Sequence, residues 1–167
     1  LQGKALVDIK FRKFSEFKRG VIYGLLKDGY SFESRYERDW AAKWKEADDF
    51  FYDNLHIADE CGFVTALYDT PIGFICWDPR NIPEYIELGH NCIATKYKGN
   101  QYGKMQLQEA VKRMINKKVK KLLVTTDELL VPAQKNYERV GFIFVQKRKN
   151  EWNQEYAGKL MDYEMKL

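Results

Sequence analysis

Lys98-Gly99-Asn100-Gln101-Tyr102-Gly103-Lys104, entered from the apolar run Cys92-Ile93-Ala94, is the stretch that decides how this chain folds. A strand, a glycine-containing turn and then a helix beginning around Lys104 bring several backbone N–H groups to one point. Those groups have no partner inside the helix, and the positive end of the helix dipole adds to them. The natural guest is an anion such as a phosphate. Glycine lets the backbone approach such a guest where a Cβ would intrude.

Working outward, the apolar spacing predicts an opening strand over Ala5–Phe14 and a helix from Ser15 to about Gly29 carrying Val21, Ile22, Leu25 and Leu26. Tyr30 to Ser34 reads as a connection. Tyr36, Trp40, Trp44, Ala47 and Phe51 recur at three- and four-residue spacing, the core-facing stripe of a longer helix. The period then changes. Phe63–Tyr68, a turn at Asp69-Thr70-Pro71 and Ile72–Trp77 read as a hairpin, with a further strand over Tyr85–Ala94. Met105–Ile115 is helical, Lys121–Thr126 a strand and Pro132–Val140 a helix closed by Gly141; Phe142–Gln146 and Lys159–Lys166 are the last strands. The order β-α-α-β-β-β-α-β-α-β-β, without repeats or linkers, describes one α+β domain over residues 1–167.

Length and composition agree with this. The chain has 167 residues, 45% of them apolar and 15% aromatic, enough for a sizeable core. No apolar stretch approaches the roughly 20 residues needed to span a bilayer, and no signal-peptide pattern precedes the fold. Cys61, Cys76 and Cys92 show no CxxC spacing, which points to reduced thiols, no metal site and a cytoplasmic protein. The net charge of +4 is unevenly placed. Lys96–Lys121 carries nine basic residues against one acid, Glu109, whereas Arg35–Glu60 carries eight acids against four bases. The acidic segment reads as a solvated helix face, and the basic one as a place for a polyanion. A nucleic-acid partner is the less favoured alternative, because residues 112–121 contain no aromatic on which a base could stack.

A second motif lies some thirty residues downstream of the turn: Pro132-Ala133-Gln134-Lys135-Asn136-Tyr137-Glu138-Arg139-Val140-Gly141-Phe142. Together the two motifs and the element order resemble the GNAT superfamily of acetyl-CoA-dependent N-acyltransferases, over the whole chain. The family's loop reads Q/R-x-x-G-x-G/A. Here Lys98 stands for Arg or Gln, Gln101 for the central glycine, and Gly103 is kept. The downstream stretch is similar to the family's A-x-x-x-Y-x-x-x-G-F helix, with Leu130 where an Asn is often found. The resemblance implies a central mixed, mostly antiparallel twisted sheet flanked by helices.

It also implies chemistry. Acetyl-CoA would be the acyl-donor cosubstrate, with no metal. Ile93, Ala94 and Thr95 would meet the pantetheine arm through their backbone. Lys98, Gly99, Asn100, Gln101, Tyr102, Gly103 and Lys104 would cradle the pyrophosphate, with Asn136 also at the cofactor and the Lys117–Lys121 cluster toward the adenosine 3′-phosphate. Tyr137 is where the family commonly places a phenol that protonates the departing thiolate. Glu87 and His90 are rival bases, with water as the third option. A regular strand puts Glu87 and His90 on opposite faces, although a bulge of the kind family members carry would break that count. Cys92 reads as buried packing rather than an acyl carrier, so direct transfer in a ternary complex is expected. Tyr30, Phe32 and Glu33 are the acceptor-side residues, suited to a primary amine of a small molecule or an amino terminus. A homodimer is an admissible assembly, and a non-catalytic acyl-CoA sensor is the alternative function.

Overall fold

The computed structural model describes residues 8–151 and 155–167. Seven strands form one sheet: β1 Ile9–Arg12, β2 Gly62–Leu67, β3 Thr70–Asp78, β4 Ile86–Ile93, β5 Lys121–Asp127, β6 Ile143–Arg148 and β7 Leu160–Lys166. Their order is β1-β2-β3-β4-β5-β7-β6. β1 pairs antiparallel with β2, β4 parallel with β5, and β7 antiparallel with both β5 and β6. Among the described residues five α-helices accompany them: α1 Val21–Gly29, α2 Ser34–Asp53, α3 Leu55–Glu60, α4 Tyr102–Ile115 and α5 Val131–Arg139. This is the mixed α+β sheet with flanking helices that the sequence predicts, with α3 added. The chain divides into two compact units, one reaching to Phe74 and including Cys92–Asn100, the other holding Ile75–Asn91 and Gln101–Leu167.

In the first unit the core gathers Phe14, Ile22, Leu26, Phe63 and Ile72. Phe14 meets Phe51 and Phe74 edge-on, at centroid distances of 5.3 and 6.1 Å. The expected helix from Ser15 does not run through. Phe14–Glu16 makes a single 3-10 turn, and α1 starts at Val21 after Gly20 takes φ +105°. Asp48 explains the start. It is buried on α2, and its two carboxylate oxygens accept from the N–H groups of Gly20 and Tyr23 at 2.9 and 3.0 Å. A cap contributed from another helix leaves no local signal in the sequence. The aromatic stripe of α2 is less buried than its spacing predicts, since Trp44 is its one fully buried member. Ala5–Val7 of the expected opening strand lie outside the described residues. The hairpin turn sits at Tyr68-Asp69, with Tyr68 at φ +55°, so Thr70 and Pro71 already belong to β3.

The second unit packs Ile75, Ile86, Leu107, Met114, Leu122 and Tyr163, all almost fully buried. α4 contributes Gln106, Leu107, Ala110, Val111 and Met114 to that core, a three- and four-residue spacing with one polar member. β5 and β7 align in register from Lys121↔Lys166 to Asp127↔Leu160, which sets Val124 opposite Tyr163. The end of β5 is tied to the segment just before β7 by Asp127, whose carboxylate accepts from the Gly158 N–H and, locally, from the Leu129 N–H.

Candidate functional site

The helix after the turn begins two residues earlier than the sequence predicts, at Tyr102. The turn reverses through two left-handed residues, Gly99 at φ +80° and Gln101 at φ +70°. Gln101 therefore keeps the backbone conformation that a glycine at this place would take freely, at a cost of about 1 kcal/mol for an L-residue. No side chain caps α4, and no acid lies in its first turn. The first N–H of the helix to find an intrahelical acceptor is that of Met105, which donates to the Gln101 carbonyl at 3.0 Å. The N–H groups of Gly103 and Lys104 precede it in the first turn, where a helix offers its own N–H groups no acceptor. Lys104 adds positive charge, and Asn136 lies half-buried on α5.

Within the first unit, residues 92–100 are latched to the connection between α1 and α2. The Ala94 N–H donates to Ile72 O at 2.7 Å, and the Thr95 N–H to Asp28 Oδ2 at 3.2 Å. Thr95 Oγ1 donates to Asp28 O at 2.7 Å. The Lys98 ammonium donates to Gly29 O at 2.5 Å and lies 4.8 Å from the Phe32 ring centroid. Burial lowers its pKa, opposed by Cys92 and Asp28. Gly29 itself is required by close approach: a Cβ there would sit 3.2 Å from Ile93 O and 3.3 Å from Cys92 Cβ. So the N–H groups of Ala94 and Thr95 and the charge of Lys98 are engaged inside the fold. Of the acceptor-side residues, Tyr30 packs among Phe32, Tyr36 and Trp44, and Phe32 is exposed. Glu33 caps α2 and pairs with Arg35, whose guanidinium holds its carboxyl down at about 2. Apart from the buried Asp48, the other acids of α2 are similarly occupied, by Lys27, Arg38, Lys43, Lys45 and Arg19, as a solvated face would be.

In the second unit, Tyr137 is buried on α5 with its ring edge-on to Phe142 at 5.8 Å and tilted against Tyr163 at 6.2 Å. Its hydroxyl accepts from Asn91 Nδ2 at 3.3 Å, and Asn91 Oδ1 accepts from Gln106 Nε2 at 2.8 Å. Burial raises the phenol pKa, partly opposed by the Asn91 hydrogen bond, so the group is protonated at neutral pH. Sequence reasoning missed Asn91 and Gln106. Gln106 had a signal, being the polar member of α4's apolar face; Asn91 had none.

Along β4 the buried positions are Ile86, Leu88 and Cys92, an even-numbered series that leaves Glu87 and Asn91 together on the other face. Glu87 is exposed there. His90 belongs to the core-facing series, and burial lowers its pKa from 6.5. A histidine whose neutral form the fold prefers contributes stability that is complete above the unfolded value, near pH 6.5, and is lost as pH falls through the lower folded value. The melting temperature should therefore drop between about pH 7 and pH 5, and His90→Asn should drop less over that window. Thermal melts across pH check this; parallel curves for the two proteins would contradict it.

The Lys117–Lys121 cluster does not suit a 3′-phosphate bound near the turn. It follows the C-terminal end of the 14-residue α4, roughly 20 Å from the helix start. Lys120 and Lys121 are also paired there, with Glu84 and Glu164. No helix among the described residues is long and apolar enough to cross a membrane.

Comparison with known proteins agrees with the geometry. The model of the acetyltransferase (GNAT) family matches residues 26–142. No curated protein matches the chain. Many solved structures share its fold, three of them as follows. A putative acetyltransferase of the GNAT family from Desulfovibrio desulfuricans superposes with a TM-score of 0.73 at 16% identity, covering 96% of this chain and 99% of that one. A GNAT family acetyltransferase from Elizabethkingia anophelis with acetyl-CoA bound gives 0.67 at 19%, covering 98% and 100%. The PaiA N-acetyltransferase from Thermoplasma acidophilum in complex with coenzyme A gives 0.72 at 16%, also covering 98% and 100%. With the family's pattern matched from Leu26 through the Tyr137 helix to Phe142, the chain belongs to the acetyltransferase (GNAT) family, as an acyl-CoA-dependent N-acetyltransferase.

Proposed function

We propose that this protein moves the acetyl group of acetyl-CoA to a primary amine, of a small molecule or of a peptide amino terminus, by direct attack in a ternary complex. The observation that carries the donor half is the start of α4, entered through a left-handed residue and lacking both a side-chain cap and a first-turn acid. Such a start suits the CoA pyrophosphate. That acetyl-CoA and CoA occupy structures of the same fold supports the choice of donor.

The chemistry then follows from three side chains of the second unit. The amine's lone pair forms the C–N bond as the C–S bond breaks, and Tyr137 gives its phenolic proton to the departing sulfur. The proton released by the new C–N centre passes to Glu87 and on to solvent, and a proton taken back from solvent restores the phenol. Glu87 is the base of choice because it is exposed and shares the face of β4 with Asn91, the residue bonded to Tyr137. Four residues of strand separate Glu87 from Asn91, roughly 13 Å, so the proton reaches Glu87 through a chain of waters rather than directly. His90 lies on the core-facing series and is left out of this role. Glu87→Gln should lower kcat/KM on the order of 100-fold, and His90→Gln by less than tenfold. The opposite ranking would make His90 the base.

The test of the function is thiol release from acetyl-CoA across a panel of amines, amino acids, polyamines and peptides, with the acetylated product identified by mass. Turnover with at least one primary amine is expected. Turnover only with anionic acceptors would overturn the amine assignment, and acetyl-CoA binding without turnover would leave the sensor reading.

A further inference from the structure

We infer that Asn91 is a positioning residue for Tyr137, that Gln106 holds it in place, and that this pair decides which way the phenolic proton points. The inference rests on the acid role proposed for Tyr137. Asn91 has one acceptor and one donor end, and the two are not interchangeable here. Gln106 Nε2 donates to Asn91 Oδ1 at 2.8 Å, which turns the Asn91 amide nitrogen toward Tyr137. An amide NH2 donates and cannot accept. The phenol can therefore take a hydrogen bond from Asn91 but cannot give its own proton back along the same line. That proton is directed elsewhere and stays available to a leaving group.

Gln106 is suited to fix this sense. Its side chain is fully buried on the face of α4 that otherwise carries Leu107, Ala110, Val111 and Met114. A buried amide is held to the partners that satisfy it, because turning away would strand its polar atoms. It also lies one turn beyond Tyr102–Lys104. One helix thus presents its first-turn N–H groups at one end and, a turn later, orients the acid through Asn91.

An isosteric change reverses the arrangement. In Asn91→Asp one carboxylate oxygen still accepts from Gln106, and the other accepts the proton of Tyr137, which is then no longer free for the thiolate. The expected loss in kcat is about 100-fold, close to that of Tyr137→Phe, with KM for acetyl-CoA unchanged. Because both act through one hydroxyl, Asn91→Asp should lower kcat by less than about threefold in the Tyr137→Phe background. A readout without turnover is the Tyr137 ¹³Cζ resonance, identified by its loss in Tyr137→Phe, which should shift in Asn91→Asp at pH 7. Gln106→Met provides a second variant, expected to lower kcat about tenfold by releasing Asn91. If Tyr137→Phe loses turnover while Asn91→Asp and Gln106→Met keep it within about threefold of the parent, the acid role stands and the positioning role is overturned. Equal losses from Asn91→Asp in both backgrounds, or an unmoved resonance, overturn it as well. If Tyr137→Phe itself turns over normally, the acid reading falls first and the inference with it.

Discussion

Tyr137→Phe should lower kcat by about 100- to 1,000-fold while acetyl-CoA affinity stays within about threefold. The substitution removes one oxygen and leaves the ring, so packing on Phe142 and Tyr163 at 5.8 and 6.2 Å is retained. What is lost is a proton donor in a dry setting. Burial raises the phenol pKa, and the Asn91 hydrogen bond partly opposes it. Since the pKa lies above its ordinary value of 10.0, the phenol remains a donor throughout the neutral range, and its contribution to rate should be flat there. The variant also strands Asn91 Nδ2, at a cost of about 1 kcal/mol or somewhat more if water does not replace the hydroxyl. Single-turnover measurements of thiol release separate the chemical step from binding. An unchanged rate of that step would remove Tyr137 from the mechanism and leave it as a core aromatic.

How far such residues can be read from sequence depends on whether the signal is local. Tyr137 is legible because it sits at a fixed place between Ala133 and Gly141-Phe142 on one helix. The start of α4 is legible because strand, turn and helix are consecutive, and Gln101 in place of glycine did not spoil it: the residue takes φ +70° all the same. The α1 start was misplaced because its cap, Asp48, comes from α2 and leaves only a buried acid in an aromatic stripe. α3 is six residues long, too short for a helical period to show, and a single residue, Asn54, separates it from the end of α2. Asn91 is invisible for a different reason. Its partners, Gln106 and Tyr137, lie 15 and 46 residues away, and only the tertiary fold brings the three together. The charge count misled at Lys117–Lys121, where proximity in sequence to the turn hides a whole helix of separation in space.

The same distinction between local geometry and its use underlies Gly103→Asp, a change predicted to strengthen the fold and to weaken its ligand binding. Gly103 is the second residue of α4, in a first turn that has no acid and no side-chain cap. A carboxylate there interacts favourably with the helix dipole and the N–H groups of the turn, worth about 0.3–1 kcal/mol. Replacing a helical glycine adds a few tenths of a kcal/mol in helix propensity. For a domain of this size the melting temperature should rise by about 2–4 °C. The same carboxylate occupies the place proposed for the pyrophosphate and repels it, and acetyl-CoA affinity should fall on the order of 100-fold, since like charges about 4 Å apart near a protein surface repel by a few kcal/mol. The two effects have opposite signs, so misfolding cannot imitate the result. Inorganic pyrophosphate gives an independent probe: it should compete with acetyl-CoA for the parent protein and lose that ability in Gly103→Asp. A higher melting temperature with unchanged acetyl-CoA affinity would show that the start of α4 is merely an uncapped helix end and that the pyrophosphate is held elsewhere.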